Sequence, residues 1–288
     1  ARVIAFYLPQ YHPIPENDKY WGKGFTEWTN VAKAKPLFRG HYQPHIPADL
    51  GFYDLRLPEV REAQAELARD AGIEGFCYYH YWFGNGKMLL QKPFEEVLRL
   101  GKPDFPFCLC WANHDWTTKT WVKGSSMVNN TMIAQQEYLG EQDDIKHFEY
   151  CLRAFKDHRY ITIEGKPIFL IYDPLSFPNV KEFMNRWNFL AKIGVTTGRQ
   201  SSYKIVTNLG FDGVCHNRRW EAEAKAAGFR FVRRMQSLLG WHLGISLMKY
   251  DYNKVVRNYD TPENKLENCY PVITPGFDRT PRAGRRAG

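Results

Sequence analysis

The first apolar run of this chain ends at Leu8 and passes directly into PQYHPIPENDKYWGKGFTEWTNV, where Gln10, His12, Glu27 and Trp28 stand among further aromatics. A strand that serves only a core ends in Gly, Asn, Asp or Ser turns. Rings mixed with a histidine and carboxylates suit ligand binding instead, because the rings pack on the apolar faces of cyclic ligands and the polar groups bond their hydroxyls. The mixture recurs after other apolar runs. YYHYWF sets Tyr78, His80 and Trp82 on one face and Tyr79, Tyr81 and Phe83 on the other. WANHDWTTKTW gathers Trp111, Asn113, His114, Asp115 and Trp116; IYDP ends in Tyr172 and Asp173; PGFDRTPR carries Asp278 and Arg279. Plainer readings stand beside these: a histidine amid aromatics is ordinarily a core residue, and Asn113, Asp115 and Asp173 have the types that cap turns.

The chemistry that is absent narrows the field. No HExxH, P-loop, GxSxG or His/Cys ligand spacing occurs, so no metal or cofactor is expected, and phosphoryl and serine-type acyl transfer are disfavoured. Cys108 and Cys110 are two apart, share one strand face and do not form a CxxC knuckle. The six cysteines fall mostly in apolar runs and are expected to be buried thiols in a bacterial, reducing cytoplasm. The formal net charge is +8, yet Lys and Arg are spread along the chain apart from the tail RTPRAGRR. Without a recognition module, nucleic acid is not an expected partner. No apolar run approaches the length of a membrane span.

The elements that position these residues follow from periodicity. Strand-like runs are read at Val3 to Leu8, Gly75 to Phe83, Phe105 to Ala112, Pro167 to Asp173, Tyr203 to Leu209, Phe211 to Asn217 and Tyr270 to Gly276, apolar on both faces as in a sheet covered on both sides. Amphipathic helices lie between several of them: Pro58 to Gly72, Asp143 to Phe155 and Asn179 to Gly194. Strand, loop, helix, strand is the rhythm of a parallel α/β fold. No GxGxxG follows the first strand, and long chemistry-bearing loops follow several strands, which favours a (β/α)8 TIM barrel over a nucleotide-binding sheet. The expectation is one barrel domain over 1–288, with its eighth strand missing and the domain C-terminally incomplete.

The stretches FYLPQYHPIPENDKYWGKGFTEWTNV, GFCYYHYWF, CWANHDWT, GKPIFLIYDP and PGFDRTPR resemble the blocks of the WbsX-type glycosyltransferase-like family of polysaccharide and lipopolysaccharide gene clusters, related in turn to glycoside hydrolase family 99. The resemblance runs through essentially the whole chain. It implies a barrel acting on α-linked, mannan-like or O-antigen-like glycans without a metal, with Tyr7, Trp82, Trp111, Asn113 and Tyr172 lining the sugar cleft and Glu27 and Trp28 on its opening loop. As a cleft residue, Trp111→Ala is expected to weaken glycan binding while leaving the melting temperature within a few degrees.

Two departures stand out. Where the family block reads WANENW, this chain has WANHDW, with His114 and Asp115. The strand-eight NEWxEG motif that supplies two working glutamates is absent, and FTEWTN is the nearest string. Glycoside cleavage needs one group to protonate the leaving oxygen and another to attack or activate the attacker. Glu27 and Asp115 are the remaining carboxylate candidates. The expected function is therefore retaining glycoside cleavage or transfer on cell-surface polysaccharide; a glycosyltransferase, or a non-catalytic glycan-binding or scaffold protein on a degenerate barrel, is the alternative.

Overall fold

A computed structural model describes residues 2–118, 131–196, 203–227, 235, 238–239, 251–274, 278 and 280–283. Its centre is a parallel sheet of seven strands: β1 (Ile4–Tyr7), β2 (Gly75–Trp82), β3 (Phe107–Trp111), β4 (Lys166–Ile171), β5 (Ala191–Thr196), β6 (Gly213–His216) and β7 (Cys269–Pro271). Each pairs in parallel with the next in sequence, so the chain winds always in one direction. Short antiparallel pieces decorate it after β2 and before β4, and Trp116–Thr117 pairs with Met132–Ala134.

The helices are α1 (Pro15–Trp21), α2 (Glu27–Lys33), α3 (Pro58–Asp70), α4 (Lys92–Leu100), α5 (Glu141–Phe155), α6 (Val180–Arg186), α7 (Tyr203–Asn208), α8 (Arg219–Ala226), α9 (Tyr252–Tyr259) and α10 (Thr280–Ala283). Local chemistry sets their ends. Pro58 opens α3 where its missing N–H costs nothing, and Gly72 stops it at φ +77°. Glu141, Asp143 and Asp144 load the first turn of α5 with the charge its dipole favours. Among the described residues no helix is long and apolar enough to cross a membrane.

The sheet is curled. In a flat sheet β2 and β6 would stand about 19 Å apart, yet Cys215 on β6 is near enough to Cys77 on β2 and to Cys110 on β3 to help push up both thiol pKa values. Burial is the larger cause at Cys77 and Cys110, and all six cysteines are buried thiols. At the C-terminal ends of the strands, α10 packs on α2, so the segment after β7 comes round to the loop after β1. Among the described residues no strand bridges β7 and β1, and the fold is a curled seven-stranded sheet of TIM-barrel type, in which an eighth strand is not seen.

Seven strands are expected and seven are present, but one lies elsewhere. Tyr203 to Leu209 is not a strand: it is α7, with Val206 fully buried and Gly210 in the left-handed region just beyond its end. The strand in its stead is β5, which overlaps the end of the stretch read as a helix; α6 stops at Arg186 and Ala191–Thr196 extend between β4 and β6. Gly194 shows why a small residue stands there. A Cβ at this position would collide with Val206 Cγ1 of α7 and sit 3.3 Å from Phe211. Gly194→Ala is therefore expected to lower stability by about 1–3 kcal/mol, read as a fall in the urea midpoint with an unchanged slope; a midpoint like that of the native chain would show that α7 does not press on β5.

Candidate active site

Strand alternation decides which side chains reach the barrel mouth. Phe6 of β1 stacks on Tyr79 of β2 at 5.5 Å, and Tyr79 meets Tyr172, just past β4, at 5.9 Å. This face, with Cys77, Tyr79 and Tyr81, points into the curl. Above it lies the loop after β1. Gln10 Nε2 donates to the Tyr81 hydroxyl at 3.2 Å, and Trp116 stacks on the Tyr81 ring. Tyr11 packs between Trp28 and Tyr53, with centroids 4.6 and 5.4 Å away, and the Trp28 indole N–H donates to the Tyr53 carbonyl at 2.8 Å.

Glu27 occupies the centre of this arrangement. It is the first residue of α2, held there by Thr26, whose hydroxyl accepts from Trp28 N, and by Thr29, whose hydroxyl accepts from Thr26 N. Its carboxylate is only 6% exposed and accepts from Arg282 Nη2 of α10 at 2.5 Å. Burial raises the Glu27 pKa, and the Arg282 charge and hydrogen bond offset part of that rise. The Glu27 charge in turn helps lift the Tyr11 and Tyr81 hydroxyls, for which burial is the main cause. A second set of contacts fastens the same seam: Asp278 accepts from Gln43 Nε2, lies 3.2 Å from His41 Nε2 and takes the Thr280 amide at 2.8 Å.

Asn113 is a clamp. Its amide nitrogen donates to the Asp173 carbonyl at 2.8 Å and to the Tyr138 hydroxyl at 2.9 Å, and its oxygen accepts from Asp173 N at 2.7 Å. Every polar atom of the side chain thus locks the end of β3 to the end of β4. The lock presents His114 against Tyr172 at 5.4 Å. Asp115 is exposed and accepts from Gln136 N at 2.7 Å, which leaves it a loop anchor.

Four of the sequence-predicted cleft residues lie on the other side of the sheet. Tyr7 donates its hydroxyl to Gln64 of α3 at 2.6 Å and packs on Tyr78. His80 Nε2 is 2.8 Å from His147 Nε2 of α5, and Trp82 stacks on His147 at 4.7 Å with an interplanar angle of 7°. Trp111, 2% exposed, is wedged against His147, Phe177 and Phe183, with its indole N–H on the Trp82 carbonyl at 2.9 Å. The alternation holds, but His80 and Trp82 belong to the helix-covered face and Tyr79 and Tyr81 to the inner one. His80, His147 and Cys151 also form the only group of three ligand-type atoms among the described residues that all lie within 4.8 Å of one another. The two imidazoles satisfy each other as donor and acceptor, and burial pushes the Cys151 thiol up, so the trio is a neutral packed unit.

Over residues 3–288 the chain matches the family described as glycosyltransferase WbsX. The chain belongs to the WbsX family. It is 34% identical to the uncharacterized protein WxcX of Xanthomonas campestris pv. campestris strain B100, over 98% of this chain and 39% of that protein. It thus spans well under half the length of that relative. Solved structures with similarity include a GH99 endo-α-mannosidase from Bacteroides thetaiotaomicron, at 15% identity over 85% of this chain and 67% of the other, with TM-score 0.44. A glycoside hydrolase-like protein aligns at 15% identity over 87% of this chain and 69% of its own, with TM-score 0.47.

In this WbsX-family chain the mouth brings together Gln10, Glu27, Trp28, Asn113, Tyr172 and, at the seam, Asp278. His12 stands apart, buried at a cavity between the loops after β1 and β2. Sequence reading missed Tyr81, Arg282, His41 and Gln43 as site residues; the GHYQPH string of Gly40–His45 is a visible signal of the aromatic and polar mixture, while Arg282 sits in a tail whose composition reads as frayed. Arg279 and Phe277 lie outside the described residues.

Two expectations follow from the helix-facing layer. Trp111→Ala should lower stability by about 3–5 kcal/mol, as for a buried large aromatic, in denaturant unfolding; an almost unchanged midpoint would mean that Trp111 is not packed as seen. Burial also depresses His80 to about 3 and His147 well below 6.5. A buried neutral histidine contributes stability that is fully present above 6.5 and is lost as the pH falls towards 3. The urea midpoint should fall through that window, and fall less in a His80→Gln/His147→Gln variant, which has no imidazole to protonate there. Equal losses in both proteins would contradict the pairing.

Proposed function

We propose that the barrel mouth processes α-linked glycans by retaining cleavage or transfer: Glu27 gives its proton to the leaving glycosidic oxygen and takes one back from the water or acceptor hydroxyl that then bonds the anomeric carbon on the same face. The observation that carries this reading is Glu27 itself: a carboxylate 6% exposed, raised in pKa by burial, held at 2.5 Å by Arg282 and surrounded by Tyr11, Tyr81 and Trp28. A general acid for a glycosidic oxygen needs such a pKa, high enough to hold a proton and low enough to give it up. Arg282 keeps the group poised. Released from the carboxylate as the proton arrives, its guanidinium can bond a sugar hydroxyl. Tyr11, Trp28, Tyr79 and Tyr172 provide ring faces for the apolar side of a pyranose, and the Asn113 clamp fixes the β3–β4 end against which the sugar would rest.

Transfer is favoured over hydrolysis by the family description as a glycosyltransferase. A glycan donor suits this chain better than a sugar nucleotide, because no Gly-rich loop follows the first strand to cradle a diphosphate.

With an α-mannan oligosaccharide as donor and a fluorescent mannoside as acceptor, Glu27→Gln is expected to reduce the rate about 100-fold or more while leaving binding within about threefold, since the amide keeps the shape. Undiminished rate would remove Glu27 from the chemistry, and binding without turnover in the native protein would make the mouth a glycan-binding site alone.

A further inference from the structure

The cavity at His12, of about 340 Å³, opens between the loop after β1 and the segment that leads from β2 into α4. His12, Ile14, Glu16, Arg56, Leu90 and Lys92 line it. His12 is 1% exposed, and neither ring nitrogen has a hydrogen-bond partner; the Pro9 carbonyl approaches the ring without reaching hydrogen-bond geometry. An imidazole buried in this way forfeits at least one hydrogen bond, a cost that a fold tolerates where something else supplies the partner. The cavity also meets the N-terminus of α4, a nine-residue helix that no side chain caps. Its second residue, Pro93, has no N–H, so Lys92 alone of the first two residues offers a backbone donor, at the positive end that meets the cavity wall.

We propose that this cavity is a subsite for an acidic sugar unit, with the acid group on Lys92 and the α4 N-terminus, the hydroxyls on His12 and Glu16, and the ring against Ile14 and Leu90. Ligand size agrees: the volume is enough for a pyranose with its substituents. Charge agrees as well. Lys92 and Arg56 are cationic, but Glu16 is an acceptor only and Arg56 is already bonded to Asp54 at 2.6 Å, a set too balanced for a bare multiply charged anion. One carboxylate beside several hydroxyls uses both signs. Burial lowers the His12 pKa, so its ring is neutral near pH 7 and offers one donor and one acceptor, which is what a hydroxyl requires.

The identity of the ligand rests on the glycan reading of the mouth. The cavity lies beside that mouth, on the same C-terminal side of β1 and β2, where a branch or neighbouring unit of a bound chain would fall.

Calorimetric titration of the 288-residue chain with glucuronate, glucose and inorganic phosphate tests this. Glucuronate is expected to bind with a millimolar constant, and glucose about tenfold more weakly, as one charge-assisted hydrogen bond is lost. Lys92→Met, at the first position of α4 and outside the buried core, is expected to weaken glucuronate about tenfold, and Glu27→Gln to leave it unchanged. No saturable glucuronate heat, phosphate binding tighter than glucuronate, or native affinity in Lys92→Met would each overturn the subsite. A loss in Glu27→Gln would place the acid at the mouth and overturn it too. Turnover at the mouth is read separately, so failure of that reading leaves these heats unaffected.

Discussion

A sheet covered on one face by helices and curled upon itself on the other obliges every strand to serve two environments. In β2 the obligation falls residue by residue: Tyr78, His80 and Trp82 fill the layer beneath α4 and α5, and Cys77, Tyr79 and Tyr81 fill the curl. The helix layer is the more apolar and holds the large rings, Trp111 and Trp187 among them. Along the inner face of β2 the buried thiol of Cys77 gives way to Tyr79 and then Tyr81, which meets Gln10 of the loop after β1.

The seam at which the curl comes round is held by polar contacts. Glu27 to Arg282 and Asp278 to His41 and Gln43 tie α10 to the first loop, and one of the two carboxylates is buried. A buried ion pair is weak evidence for stability, since desolvation offsets the attraction. Its retention at the mouth fits a role in which the pair changes partners when a sugar enters, so the same contact would fasten the seam and poise the acid.

Much of this is legible in the sequence because the helix signals are local. Pro58 and Gly72 bracket α3, acids open α5, and β2, β3 and β4 stand out as runs of Phe, Tyr, Cys and Ile. What does not show is context. YKIVTN has the β-branched residues of a strand, yet it is a helix whose Val206 is fully buried beside Gly194 of β5. Alternation separates the two faces of YYHYWF without saying which one faces α5, since both are aromatic; that depends on where His147 arrives from another element. Arg282 is invisible for the same reason, because its partner is Glu27, 255 residues away.

The central claim is that glycan meets the inner face of the curl and the loop after β1, and not the aromatic layer under α5 and α6. Hydrogen exchange read by mass spectrometry, with and without an α-mannan oligosaccharide, addresses this directly. Protection in peptides covering residues 8–31, 79–84 and 278–283, with α5 and α6 unchanged, is the predicted result. Protection confined to peptides from α5 and α6, with the first loop unaltered, would contradict it.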